Sequence, residues 1–261
     1  MSAWTVDQAA TALLAAESAR TDREPLTADW PGLDLATGYA VQDETLRRRL
    51  ARGERLVGVK LGLTSRAKQQ RMNVTSPLTA WLTDAMALPA GAAVPQDHLI
   101  HPRAEPEIVF WMRDRLAGPG VTAAVALAAV GSVQAGVEVI DSRYRDFRFT
   151  LPDVVADNAS SGFFVTGPVG VPPAALDLAL EAYLLELDGQ VVDSATGAAV
   201  QGHPAEAVAW LANTLGGFGI PFLKGEIILS GSLAPLVSAA AGDLFELEIG
   251  GIGRASVRFA S

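Results

Sequence analysis

Seven short stretches rich in β-branched and aromatic residues occupy the chain from residue 56 onward, and they restrict what it can fold into. They are LVGVKLGL, EIVFWM, GVEVI, GFFVTG, EAYLLELDG, EIILSG and LFELEI. Each is bounded by Gly, Pro or Asp, the residues that end strands. Two helical segments interrupt them. TAAVALAAVGSV is Ala-rich, and HPAEAVAWLANTLGG places Val208, Leu211 and Leu215 on one face before ending on Gly216 and Gly217, a C-terminal cap signal. Strands and helices do not alternate regularly, which disfavours a doubly wound parallel sheet. Residues 1–55 read differently. Val6, Ala10, Leu13 and Leu14 recur at helical spacing, as do Tyr39, Leu46 and Leu50, and EPLTADWPG reads as the loop between. The expectation is an α+β chain: a small helical N-terminal part, 1–55, and a larger β-rich domain, 56–261.

Composition narrows the function. The net charge of −9 argues against nucleic acid, which needs a surplus of Lys and Arg on one face. With no cysteine, disulfides, thiolate nucleophiles and thiolate metal sites are excluded. Hydrophobic residues make up 49% of the 261, enough for a sizeable core. No apolar run approaches 18 residues and MSAWTVDQAATALLAAESAR lacks the form of a signal peptide, so a soluble cytoplasmic protein with no membrane contact is expected.

The most informative segment is His101-Pro-Arg-Ala-Glu-Pro-Glu-Ile-Val-Phe. Glu105 and Glu107 stand two apart at the start of a strand, so their side chains share a face. Adjacent carboxylates repel and a core does not accept them unpaired; a hard divalent cation resolves both problems. The competing reading is an exposed strand face with two solvated acids. Glu138 stands in the apolar stretch GVEVIDS, with Val137 and Val139 on the opposite face. It is either buried and ligating or an edge-strand acid in water. Three carboxylates from two strands leave about half of an octahedral cation open to water and substrate, an arrangement suited to catalysis.

Lys60 stands inside the apolar GVKLG and either snorkels to the surface or meets an anion. Thr64-Ser-Arg-Ala-Lys reads as a helix start, more commonly a cap than a carboxylate site. Asp157-Asn-Ala-Ser-Ser-Gly is a plain turn or the lining of a polar pocket. His98 and His101 are expected in solvent, and His203 at a helix start. GxGxxG, GxxxxGK[ST] and GxSxG are absent, which leaves no sign of a nucleotide loop or a hydrolase elbow.

Taken in order, GVKLGLTS, WLTDAM, IHPRAEPEIVF, VEVIDSRYRDFRF, DVVADNASS, GHPAEAVAWLAN and KGEIILSGSL resemble the 2-oxopent-4-enoate hydratase / 4-oxalocrotonate decarboxylase family of the fumarylacetoacetate hydrolase superfamily, from about residue 35 to the end. The resemblance implies a fumarylacetoacetase C-terminal-domain-like fold, Mg2+ or Mn2+, a small 2-oxo acid substrate, a homo-oligomer, and meta-cleavage degradation of aromatic compounds. It makes Glu105, Glu107 and Glu138 metal ligands and sets Lys60 at the substrate's oxo-carboxylate end. It makes Asp84 an acidic pocket residue and Ser160 a pocket hydroxyl, with Arg103, Ser161 and Leu63 binding substrate. Tyr144-Arg-Asp-Phe-Arg-Phe, Asp153-Val-Val-Ala-Asp and the Ser160-Ser161 pair lean toward the decarboxylase branch. The expected reaction is therefore decarboxylation of 4-oxalocrotonate to 2-hydroxypenta-2,4-dienoate. Hydration of that dienoate, with Asp84 handling protons, is the alternative. A non-catalytic partner in a complex with a cognate hydratase or decarboxylase stays open, as does recruitment to a biosynthetic pathway.

Overall fold

The N-terminal pattern folds as α1 (Val6–Ala19), α2 (Leu26–Asp29) and α3 (Leu35–Ala51). Thr5 and Gln8 form a reciprocal capping box at the start of α1, and Asp34 caps α3 through the Thr37 amide. The single turn α2 lies inside EPLTADWPG, read above as loop; Pro25, with φ near −51°, leads directly into it. The computed structural model describes residues 4–65, 69–70 and 74–260.

Thirteen strands follow among the described residues: β1 (Leu56–Gly62), β2 (Leu78–Thr83), β3 (Ala87–Leu88), β4 (Ala93–Val94), β5 (Arg103–Met112), β6 (Val130–Ile140), β7 (Ser161–Thr166), β8 (Ala182–Leu187), β9 (Gln190–Thr196), β10 (Ile227–Leu229), β11 (Val237–Ser238), β12 (Leu244–Ile249) and β13 (Gly253–Phe259). The helices α4 (Ala123–Ala129), α5 (Leu151–Ala156) and α6 (Pro204–Gly216) stand among them. The larger sheet runs β2-β1-β10-β5-β6-β7-β3, with β11 also paired to β5; the smaller runs β4-β13-β12-β8-β9. Among the described strands only the β1–β10, β3–β7 and β4–β13 pairs are parallel. Short hairpins favour this. Asp188 and Gly189 both take positive φ, so a two-residue turn joins β8 to β9.

TAAVALAAVGSV departs from the expected helix. Its Ala-rich half is α4, but from Val130 the chain is already β6, paired with β5. Long-range pairing along β5 decides the outcome for the valines, whose branched side chains suit a strand.

The main core lies between the two sheets and under α6. It gathers Val59, Leu61, Ile108, Phe110, Val137 and Val139 from the larger sheet, Tyr183, Leu185, Phe245 and Leu247 from the smaller, and Val208, Leu211 and Leu215 from α6. Strand alternation then sends Lys60, Glu105, Glu107 and Glu138 to the other face of the larger sheet. A smaller apolar cluster of Leu82, Val109, Phe164 and Leu229 accompanies them there. Beyond it α5 packs on β2 through Val154, Val155, Leu78 and Ala80, while α1, Leu26, Tyr144 and Ala156 form a separate cluster. No helix among the described residues is long and apolar enough to cross a membrane.

Candidate metal centre

Register builds the centre. β5 lies between β10 and β6, and its pairing with β6 sets Glu105 directly opposite Glu138 and Glu107 opposite Gly136. Gly136 leaves the space that Val109 fills; a Cβ there would stand 2.3 Å from Val109 Cγ2. β6 is an interior strand between β5 and β7, so Glu138 is not the solvated acid of an edge strand. All three carboxylates are buried, and each offers an oxygen within 4.8 Å of the others.

Lys60 closes one side. It stands on β1, level with Leu229 of β10 and Val109 of β5, and its side chain is 3% exposed, so it does not snorkel. Its Nζ contacts the Glu138 carboxylate and donates to the Ala159 carbonyl at 2.8 Å. Glu107 is the most constrained acid. Its Oε2 accepts from the Gly231 amide at 2.7 Å, and its Oε1 is buried without a hydrogen-bond partner. Burial, then the charges of Glu138 and Glu105, push its carboxyl well above the ordinary range, and Gly231 and Lys60 oppose this only in part. An orphaned oxygen in an all-carboxylate donor set fits a hard divalent cation such as Mg2+ or Mn2+, which Glu105, Glu107 and Glu138 would hold.

The raised carboxyl has a pH signature. Without metal, burial and the neighbouring carboxylates favour the protonated form of Glu107, and a cation bound through its carboxylate would displace that proton. Stability of the metal-free fold is full below the unfolded carboxyl's pKa and declines as pH rises through the raised folded value. Mg2+ affinity is expected to rise over the same interval, with protons released. Calorimetric titration in two buffers of different ionisation enthalpy checks this; buffer-independent heats argue against it.

Gly231 has φ of +97°, and a Cβ there would meet Thr64 Oγ1 at 2.3 Å. Gly231→Ala is therefore expected to pull the amide from Glu107 and weaken Mg2+ binding by about 10- to 100-fold, as lost support of a metal ligand does. The same titration measures it, and unchanged affinity removes Gly231 from the site.

The Asp157–Ser161 segment is a turn, and an unusual one. Asn158, Ala159 and Ser160 have φ of 49°, 50° and 58°, three successive non-glycine residues in the left-handed region. Such backbone persists only where its surroundings over-determine it. The Asn158 carboxamide accepts from Trp81 N at 2.8 Å and donates to Trp81 O at 2.9 Å, covering the free edge of β2. Arg143, buried, pairs with the Asp157 carboxylate and donates to the carbonyls of Asp157, Asp141 and Ser161. Burial holds the Asp157 carboxyl near about 6, with Arg143 acting to lower it. The result is that the Ala159 carbonyl is turned onto Lys60. Ser160 Oγ lies 3.4 Å from Asp157 Oδ2 and Ser161 Oγ donates to Asn158 O at 2.7 Å, so these hydroxyls bond within the turn.

The remaining sequence candidates fall in different places. Asp84 is a correction. β2 runs antiparallel to β1, with Ala80 beside Lys60 and Thr83 beside Leu56. Asp84 therefore lies beyond the opposite end of β1, about 13 Å from Lys60 along the strand. There it accepts from Arg55 N at 2.9 Å and Arg55 Nε at 2.8 Å, bonds that lower its carboxyl. Leu63, with φ of 56°, leaves β1 and packs against the cluster of Leu78, Ala80, Val154, Val155 and Ala159. Arg103 opens β5 on the face of Glu105, its Cζ 3.8 Å from the centroid of the Phe147 ring. His98 is exposed, as expected, but His101 is half-buried: Nε2 lies 2.7 Å from Ser142 O and the ring packs on Phe147. His203 caps α6 by accepting from Ala205 N at 3.0 Å. The reading of Thr64–Lys68 as a helix start rests on residues 66–68, outside the described residues. Sequence reasoning missed Arg143 and Gly231. A charge just after the apolar strand GVEVI, with an acid at 157 to pair it, was the signal for Arg143; a glycine closing the strand of EIILSG was the signal for Gly231.

Residues 55–260 match the family described as fumarylacetoacetate (FAA) hydrolase C-terminal. The chain is similar to 2-hydroxyhexa-2,4-dienoate hydratase of Comamonas testosteroni, 51% identical over 247 residues covering 94% of this chain and 93% of that one. It is also similar to 4-oxalocrotonate decarboxylase of Pseudomonas sp. (strain CF600), 43% identical over 238 residues covering 91% and 90%. Among solved structures it is similar to 4-oxalocrotonate decarboxylase from Pseudomonas putida G7 complexed with magnesium and adipate, with a TM-score of 0.93, 39% identity, and 99% of this chain and 100% of that chain covered. Matched along nine-tenths or more of relatives of both kinds, and carrying a buried carboxylate triad on the matching fold, the chain belongs to the hydratase / decarboxylase family of the fumarylacetoacetate hydrolase superfamily.

Proposed function

We propose that the protein is a divalent-metal-dependent lyase that decarboxylates 4-oxalocrotonate (2-oxohex-3-enedioate) to 2-hydroxypenta-2,4-dienoate. The observation that carries this is the triad of Glu105, Glu107 and Glu138 with Lys60 on one buried sheet face. A bound Mg2+ or Mn2+ supplies Lewis acidity at the C1 carboxylate and C2 oxygen of a 2-oxo acid. When the C5–C6 bond breaks, CO2 leaves and the electron pair moves through C4 and C3 to the C2 oxygen, which takes a proton from solvent to give the 2-hydroxy product. The Lys60 ammonium offsets the charge that develops there. The apolar border of Leu82, Val109, Phe164 and Leu229 keeps water away and strengthens that attraction.

The acids of the site favour decarboxylation over hydration. Hydration needs a group to move protons at the far end of the dienol, whereas loss of CO2 needs only an electron sink. Among the described residues, the buried acids outside the triad are Asp141, Asp153 and Asp157. Asp141 accepts the amides of Ile100 and His101, Asp153 the amides and hydroxyls of Thr27 and Thr150, and Asp157 the Arg143 guanidinium. Asp84 is engaged by Arg55 at the far end of β1. The second reading, a 2-hydroxydienoate hydratase, is favoured by the 51% identity to a hydratase.

Incubation of the purified protein and Mg2+ with 2-oxohex-3-enedioate separates the readings. Decarboxylation releases CO2 stoichiometrically. Consumption of 2-hydroxypentadienoate to 4-hydroxy-2-oxopentanoate without CO2 assigns the hydratase, and metal binding with no turnover of either assigns a non-catalytic partner. In the same proposal the protein works in the cytoplasm as a homo-oligomer, alone or with a cognate hydratase. Sedimentation with and without that enzyme tests the assembly.

A further inference from the structure

The free edge of β2 is closed by side chains that the reaction scheme does not use. β2 ends the larger sheet among the described strands, and Trp81 turns both its N–H and its carbonyl outward to Asn158. Thr79, two residues earlier, turns the same way. Its N–H donates to the Tyr39 hydroxyl at 3.4 Å, and its carbonyl accepts from Gln42 Nε2 at 3.0 Å. Tyr39 and Gln42 stand at i and i+3 on α3 and so share a face. Gln42 Nε2 donates a second time, to the Val155 carbonyl in the last turn of α5, at 3.0 Å. The Gln42 side chain is buried, and two carbonyl partners fix which way its amide points. The helices approach closely enough for this because Gly38 faces α5: a Cβ there would stand 2.7 Å from Pro152 O.

These bonds converge on the surroundings of Lys60. Ala80, between Thr79 and Trp81, lies beside Lys60 on β1, and the turn that follows α5 brings the Ala159 carbonyl to its Nζ at 2.8 Å. We propose that Gln42 is a positioning residue for Lys60: by tying the β2 edge to the end of α5 it fixes the turn that carries Ala159, and so makes the N-terminal helices part of the reaction's machinery. The proposal rests on the reading that Lys60 offsets the charge developing on the C2 oxygen. An ammonium donates three hydrogens. Glu138 and Ala159 take two of them. With two directions fixed the third is fixed as well, and it is left for the oxygen that gains charge. Without the Gln42 amide, Thr79 and Val155 no longer share a donor. Asn158 is then the remaining polar tie between the turn and β2, and the Ala159 carbonyl loses its set position. Turnover is sensitive to ångström displacements of a group that acts on the reacting atoms.

The test uses the whole chain, its lysines labelled for NMR at the side-chain nitrogen, with turnover of 2-oxohex-3-enedioate measured on the Mg2+-loaded protein. Gln42→Leu fills the same space and offers no donor. It is expected to shift the Lys60 ammonium signal, which is identified by its loss in Lys60→Met. It is also expected to lower kcat about tenfold, less than loss of the ammonium itself, with Mg2+ affinity unchanged. In a Lys60→Met background Gln42→Leu costs no further kcat, because the residue acts through Lys60. Where the leucine variant does not fold, Gln42→Ala, which leaves room for water on both carbonyls, is measured in its place. An unmoved Lys60 signal, an unchanged kcat, or a loss of kcat repeated in full in the Lys60→Met background overturns the proposal. Absence of CO2 from the wild-type protein overturns the decarboxylase reading alone, and the Lys60 signal then decides the proposal.

Discussion

Replacing Glu107 by Gln is expected to lower Mg2+ affinity by at least about 100-fold, more than the loss of a supporting contact costs, and to stabilise the metal-free protein. The two effects have one cause. Glu107 is fully buried, with one oxygen on Gly231 and the other without a partner, beside Glu105 and Glu138. As a metal ligand it must be ionised; without metal its ionised form is opposed by burial and by both neighbours. Gln keeps the shape and removes the charge. Above the ordinary carboxyl range the unfolded chain ionises this group while the wild-type metal-free fold opposes its ionisation, a cost that Glu107→Gln does not bear. A gain of about 1 kcal/mol, roughly 2–4 °C in melting temperature, is expected to grow as pH rises. Melting curves with chelator at several pH values, beside Mg2+ titrations, measure both sides. Mg2+ affinity within threefold of wild type removes Glu107 from the ligand set.

Lys60→Met is expected to separate turnover from metal binding. Lys60 bonds the Glu138 carboxylate and the Ala159 carbonyl from a position 3% exposed. Methionine fills the space without the charge. Loss of a positive group at the C2 oxygen is expected to reduce kcat by about 10²–10³, the scale seen when one donor to a developing oxyanion is removed. Mg2+ affinity should rise instead, because Glu138 no longer shares its oxygen with an ammonium. Without metal, a carboxylate left unmatched in the interior costs up to about 3–5 kcal/mol; saturating Mg2+ should recover much of that, about 2.7 kcal/mol at one hundred times Kd. Turnover, Mg2+ titration and melting with and without Mg2+ read the three effects independently. A variant that loses Mg2+ binding along with turnover refutes the assignment of Lys60 to the substrate end.

Both variants depend on features of unequal legibility. The strands that carry the site were readable because their residues are branched, aromatic and bounded by turn formers, and because the acids and Lys60 interrupt apolar runs. β2 and β13 were not read as strands: LTAWLT mixes polar and apolar residues without a clear period, whereas Ala255, Val257 and Phe259 alternate with Arg254, Ser256 and Arg258, a period of two that was legible and was passed over; pairing with β1 and β12 makes both strands. The Asp157–Ser161 turn was visible as a turn. Its three left-handed residues were not, because Asn, Ala and Ser take ordinary backbone almost everywhere and are held here by Arg143 and by the free edge of β2. Asp84 was misplaced for a related reason. Adjacency to a strand does not say which end of the sheet it meets, and only the antiparallel register of β1 and β2 puts it beside Arg55.

By itself the sequence determined that the acids at 105 and 107 share a face, and that residues 138 and 60 each oppose the apolar side chains beside them. These follow from the period of two of an extended backbone, a local property of the chain. It did not determine that the faces coincide. Glu138 is 33 residues from Glu105 and Lys60 is 45 residues before it in the sequence. The register of β5 on β6 sets the first opposite its partner, and β10, which arrives from residue 227, joins the strand of Lys60 to the strand of the other two. The exclusion of water was likewise decided by packing over that face. The three glutamates were thus candidate ligands from their spacing, and they became one buried anionic centre only through pairings between distant segments, which are fixed by the core on the opposite side of the same sheet.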